Sequence, residues 1–288
     1  MYRKQIYKSW FLMPALIIYF VLFILPVLAG IGYSFTNWNA LSPNIRFIGL
    51  RNYRDIFNPH NAYTLAIINT FRFTIGASIG KMTLGLLLAL FLNRSFRSQS
   101  LLRGVYFMPF AVSSLILGIV FSSILAPNGL LNEALRFIGL DSITRGWLVN
   151  RDTALNAIIA VDIWRSVGLN MVIFIAGLQM IDKEYYEAAS LDGAGPIAAF
   201  WHITWPLLRP SFAISLILNT IHGLRVFDLV MALTDGGPGN TTQVVSTFVF
   251  RTFSMGVFGL SNALSTVLFV IIAVITVCTF KLIAPKEN

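Results

Sequence analysis

Ten side chains in two apolar stretches carry most of the usable chemistry in this sequence. Asp162, Trp164, Arg165, Ser166 and Asn170 share one stretch; Asn219, His222, Arg225, Phe227 and Asp228 share the other. Together they offer hydrogen-bond donors and acceptors, both signs of charge and two aromatic faces. Amid apolar neighbours such groups are costly, and they usually face a bundle interior or a wet cavity that handles ligands, ions or protons. Asn219, His222 and Arg225 recur at i, i+3 and i+6, so they spread along one broad helical face. A second reading stands beside this one. Asp162 and Arg165 are three apart, as are Arg225 and Asp228, so each pair can close on itself and neutralise its charges.

Other chemistry is missing. Gly76-Ala77-Ser78-Ile79-Gly80-Lys81-Met82 comes nearest to the phosphate loop G-x-x-x-x-G-K-[ST], but it is one residue short, and Met82 replaces the hydroxyl residue. The spacing of Gly76 and Gly80 suits close helix packing instead. His60, His202 and His222 are far apart, no H-E-x-x-H occurs, and the lone cysteine, Cys278, has no cysteine partner. No nucleophile elbow frames a serine. The chain therefore reads as non-catalytic, without a metal or cofactor of its own.

The elements that must hold the ten residues follow from composition. Of 288 residues, 56% are hydrophobic and only 11% are charged; mean hydropathy is +0.74. A soluble domain carries roughly 25% charged residues, so a soluble globule, a disordered chain and a disulfide scaffold are excluded. The net charge of +9 does not indicate nucleic acid, because the bases are scattered between apolar runs and form no stripe. The chain reads as an all-α polytopic membrane protein in one domain, 1–288.

Crossing the hydrocarbon core takes about 20 apolar residues in a helix. Six segments qualify: about 10–34, 65–92, 105–125, 154–178, 212–233 and 263–282. The first follows Arg3, Lys4 and Lys8 as a secretory signal would, but it continues past Leu28-Ala29-Gly30 to Tyr33 and is expected to stay uncleaved. Arg72 and Lys81, in the second span, either face a partner or snorkel. The short 93–103 loop carries Arg94, Arg97 and Arg103 and no acid, which places it in the cytoplasm. By parity both termini, including Lys286, and the 179–209 segment lie inside.

That 179–209 segment is far longer than the roughly 2–8 residues of simple helix–helix connections. Asp182 fits an N-cap, and Glu184 and Glu187 sit in the first turns, where the helix dipole favours acids. Asp192-Gly193-Ala194-Gly195 breaks this helix. Pro196 then fits the first position of a second helix, carrying Phe200 and Trp201 and ending near Pro206. Ala188 and Ala189 would let another backbone come close. Docking a partner and packing under the bundle are both open on these grounds.

Glu187-Ala188-Ala189, Gly193, Ile203 and Trp205-Pro206 stand at the spacing E-A-A-x3-G-x9-I-x-L-P, with Trp205 in place of Leu. This closely resembles the EAA motif of ABC importer permeases. Phe47-Ile48-Gly49-Leu50-Arg51-Asn52-Tyr53, Tyr106-Phe107-Met108-Pro109 and Leu233-Thr234-Asp235-Gly236-Gly237-Pro238 resemble runs of the carbohydrate-uptake branch, the MalF-like sugar permeases.

The resemblance implies a binding-protein-dependent importer in a bacterial or archaeal plasma membrane. A second related permease would share the path. Two cytoplasmic ATPase subunits, holding ATP and magnesium, would receive the segment of Glu187, Ala188, Ala189, Asp192, Gly193, Ala194, Ile203 and Pro206. An extracellular or periplasmic binding protein would deliver a sugar or oligosaccharide, which the ten intramembrane residues could meet by their own chemistry. Self-closed Asp–Arg pairs would favour a neutral sugar. An ion- or proton-coupled secondary transporter, using Asp162 and Asp228, is the alternative; the sequence shows no internal repeat to support it.

Overall fold

The computed structural model describes residues 9–42, 44–94 and 97–283. Arg3, Lys4, Lys8 and Lys286 lie outside these residues, so the structure does not place the two termini.

Among the described residues the protein is helical, without strands. The first crossing, Trp10–Tyr33, is α1 (Met13–Tyr19) and α2 (Leu25–Tyr33) joined by a π turn at Phe20–Ile24. Its apolar side chains face outward, and it touches the bundle through α14. Next come α3 (Arg51–Ile56) and the long α4 (Ala62–Leu92). The third crossing is α5 (Gln99–Ala111) and α6 (Ser114–Ile124), followed by a short amphipathic α7 (Leu130–Phe137). Then follow α8 (Ala154–Gln179), α9 (Lys183–Leu191), α10 (Pro196–Ala199), α11 (Trp205–Leu224), α12 (Asp228–Thr234), α13 (Val245–Ser254) and α14 (Phe258–Ile283).

The bundle is built on α4 and α8, with α11 packed across both. A Cβ added to Gly80 would come 2.3 Å from Ile163 Cδ1. The glycine leaves room for the Ile163 side chain of α8 to seat against α4, the close packing its spacing suggested.

Two apolar cores lie along this pair. Phe73, Ala77, Ile158 and Val161 join Val226, Leu229 and Val230 in one. Met82, Ala89, Met171, Phe174 and Leu208 form the other, at the α9 end. Between them runs a polar belt of buried side chains: Ser78, Lys81, Asp162, Ser166, Asn170, Ser215 and Asn219. An unpartnered buried polar group costs about 1–3 kcal/mol, so the belt must satisfy itself or meet water.

Three sequence expectations need correction. The third span, expected as one helix over 105–125, is two helices bent by 97°. Pro109 removes a donor inside α5, and Val112 and Ser113 are extended at ψ 140° and 136°. The fifth span, expected over 212–233, breaks after Leu224. Arg225 and Phe227 leave helical geometry before α12 begins. The helix after Pro196 does not stop near Pro206 but continues through a π turn, Phe200–Thr204, into α11. That turn already passes the Trp205 N–H back to the Phe200 carbonyl. Pro206, with no N–H, therefore interrupts a ladder that has already shifted register.

The short sequence runs turn out to pin loops. Asn52 Nδ2 donates to the carbonyls of Ser34 and Thr36 at 2.8 and 3.0 Å, and the Tyr53 hydroxyl lies 2.6 Å from Ser34 Oγ. These bonds tie the Asn52-Tyr53 run to the end of the first crossing. In the Gly-Gly-Pro loop, Asp235 has φ 47° and pairs with Arg251 at 3.0 Å. Asn69 Nδ2, from α4, donates to the carbonyls of Thr241 and Gln243. Helix α13, absent from the six expected spans, packs beside α14 with Val245 and Phe248 buried.

Candidate functional site

Both helix breaks open onto one cavity of about 360 Å³. Non-helical backbone at membrane depth is tolerated where it lines a cavity, and here Ser114, at the α5–α6 bend, meets Arg225 and Phe227 at the α11–α12 break. Asp162, Arg165, His222, Arg225, Phe227 and Asp228 all contribute to the lining. Six of the ten residues singled out from the sequence are thus brought together from α8, α11 and the break. A second, more apolar groove of about 660 Å³ shares Arg225 and Phe227 and is walled by Phe250, Phe253 and Phe269.

The other four are placed differently. Asn170 and Asn219 are spent on each other: Asn219 Nδ2 and Ser215 Oγ both donate to Asn170 Oδ1 at 2.6 Å. Asn170 Nδ2 returns to the Ser166 carbonyl at 3.1 Å. This knot clamps α8 to α11 on the α9 side of the cavity and does not line it. Ser166 is buried in the same belt. Trp164 is half-exposed and packs edge-on against Phe121 at 5.1 Å, outside the cavity.

The charge pairing also differs from expectation. Asp162 does not pair with Arg165, nor Arg225 with Asp228. Lys81 Nζ lies 2.5 Å from Asp162 Oδ2, and His222 Nε2 lies 3.3 Å from Asp162 Oδ1. Lys81 is 1% exposed, so it neither snorkels nor reaches outside the chain. The available signal was Lys81, a base inside an apolar helix with no acid one turn away on that helix, so that its counter-charge had to come from another one. Ser215 and the phenylalanines of α13 and α14 carried no such signal.

At the α9 end the 179–209 segment folds against the bundle. Asp182 caps α9 by accepting from the Glu184 N–H at 3.3 Å. Gly193 ends it at φ 77°. Its N–H donates to the Ser190 carbonyl at 3.1 Å and that of Ala194 to the Ala189 carbonyl at 2.9 Å, a Schellman close. Space is not the constraint at Gly193, since an added Cβ would meet nothing within 4 Å. Glu187, Ala188, Asp192, Gly193 and Ala194 are exposed, and Ala189 is half-exposed. Ile203 instead packs against the core at this end, and Pro206 is half-buried. Trp205 fits into a run of edge-on ring contacts with Trp201 and Phe212. The Tyr186 hydroxyl, 2.9 Å from Thr204 Oγ1, ties the two arms of the segment together.

A multi-pass helical protein with a charged cavity at paired helix breaks, and a capped two-armed segment at one end, is a membrane transport subunit. Residues 81–284 match the binding-protein-dependent transport system inner membrane component family, and the chain belongs to that family. Its relatives include the probable ABC transporter permease protein YurN of Bacillus subtilis, 35% identical over 97% of this chain and 96% of the relative. The multiple sugar-binding transport system permease protein MsmF of Streptococcus mutans is 33% identical over 97% of both chains. A crystal structure of a bacterial ABC transporter involved in import of the acidic polysaccharide alginate shares the fold, with a TM-score of 0.81 at 23% identity, over 96% of this chain and 95% of that one. The protein is a permease subunit of a binding-protein-dependent ABC importer. Nothing in this kinship supports the ion- or proton-coupled alternative.

Proposed function

We propose that this chain forms one half of a translocation path for a sugar or oligosaccharide, the other half coming from a second, homologous permease. Two cytoplasmic ATP-binding subunits, which carry ATP and magnesium, receive α9 through Glu187, Ala188, Ala189 and Gly193. An extracellular or periplasmic sugar-binding protein delivers the substrate. The chain itself catalyses nothing and holds no cofactor. It folds as a single domain, 1–288, and lies in a bacterial or archaeal plasma membrane with both termini and the 179–209 segment in the cytoplasm.

One observation supports this reading above the rest. The cavity-lining residues of α8 and α11 sit on the two helices that flank the exposed, capped α9 in sequence. Hydroxyl-rich ligands suit the cavity's mixture of donors, acceptors and phenylalanine faces. The test is purification of the native complex with identification of its subunits, followed by sugar uptake in proteoliposomes. Co-purification of a second permease and an ATPase, with uptake that requires the binding protein, is expected. A stable, transport-competent homo-oligomer without an ATPase would overturn the proposal.

A further inference from the structure

The cavity holds two arginines that find no carboxylate partner among the described residues. Asp162, the acid nearest Arg165 in sequence, is committed to Lys81 and His222. Arg165 is half-buried, and its Nε is buried without a hydrogen-bond partner. Its guanidinium is steadied over the Phe110 ring at 5.8 Å. Arg225 stands exposed at the end of α11, and no carboxylate among the described residues lies within ion-pair distance of it. Asp228 is the one lining acid without an ion-pair partner. Counting Lys81, three bases face two acids around this space, before any proton on His222.

A half-buried guanidinium such as that of Arg165, with no carboxylate in ion-pair distance among the described residues, is costly unless an anion visits it. From this we propose, resting on the path assignment above, that the substrate is an acidic sugar carrying carboxylates, which Arg165 and Arg225 meet as it passes. The planar guanidinium fork matches a carboxylate's two oxygens. A singly charged carboxylate matches this excess of one positive charge, which a phosphate dianion facing Asp228 would exceed. Phe227, shared with the neighbouring groove, and Phe250 offer faces to the apolar side of the sugar ring. The self-closed pairs that favoured a neutral sugar do not form.

The test is uptake by the complete complex, with its binding protein, of radiolabelled trigalacturonate and of maltotriose. The expected result is at least about tenfold preference for trigalacturonate, the scale of one lost charge-assisted contact. That preference should collapse in Arg225→Gln and in Arg165→Gln, while Arg165→Lys retains part of it. Arg225 is exposed, so its variant keeps the test valid if Arg165→Gln fails to assemble. Preference for maltotriose, or a trigalacturonate preference unchanged in Arg225→Gln, would overturn the acidic-sugar assignment and leave the importer reading standing. Uptake of neither sugar, with no stimulation of ATP hydrolysis by any loaded binding protein, would count against both.

Discussion

Lys81 on α4 and Asp162 on α8 form an ion pair of 2.5 Å in which both side chains are 1% exposed. The pair joins the two central helices between the apolar cores, and His222 extends it to α11 at 3.3 Å. Three helices thereby share one charged node. Removing one member leaves an uncompensated buried charge, which typically costs about 3–5 kcal/mol; replacing both by apolar groups is often nearly neutral. Lys81→Met and Asp162→Leu should each lower the thermal midpoint of the purified subunit markedly. The double variant should regain most of the loss. Additive losses in a double-mutant cycle would show that the two side chains do not act as a pair.

Gly193 should be demanding in conformation but tolerant in volume. Its φ of 77° disfavours residues with a Cβ by about 1–2 kcal/mol, yet nothing crowds it. Gly193→Asn should therefore retain more ATPase subunit on the purified complex than Gly193→Val, although asparagine is much larger than hydrogen. Pull-down of the tagged chain, with quantified ATPase, decides it. Equal retention by both variants would mean that the α9 corner does not control docking.

Ala188 is exposed on α9, so bulk there leaves the bundle undisturbed. Ala188→Trp should insert and fold normally, judged by an unchanged thermal midpoint, while ATPase retention and substrate-stimulated hydrolysis both fall by about an order of magnitude, as crowding a packed contact would cause. Wild-type retention would remove the docking role from this face.

The purified chain alone should not hydrolyse ATP. Ser78 and Lys81, in the stretch nearest to a phosphate loop, are buried in α4, so no phosphate can reach them. Hydrolysis that stays with the single chain after a second purification in a different detergent would contradict this.

Much of the architecture was legible in the sequence, because a crossing helix leaves a long apolar run and the lipid permits few alternatives. The N-cap at Asp182, the break at Gly193 and the start at Pro196 were equally plain, since each depends on local backbone chemistry. What stayed hidden was tertiary. The bend at Val112-Ser113 and the break at Arg225 fall inside apolar runs, and hydropathy does not distinguish a straight crossing from a broken one. The i, i+3 spacing of Asp162 and Arg165 suggested a local pair, but a lysine on another helix took the carboxylate. Asn170 and Asn219 carried the same polar signal as the cavity residues, and only their contact across α8 and α11 shows that they hold the wall together.

Pro196 through Leu224 is one helical rod of 29 residues. At about 1.5 Å per residue it is some 43 Å long, with the exposed corner at one end and His222 at the other. A rod of that length would act as a lever. A tilt of about 5° at the corner, pivoted there, carries the far end by nearly 4 Å, roughly the width of a water molecule and a half. The π turn at Phe200–Thr204 with the adjoining Pro206, and Pro210 one turn on, are its weak points. Stiffening them would not need to touch either the corner or the cavity to alter how far one moves when the other does.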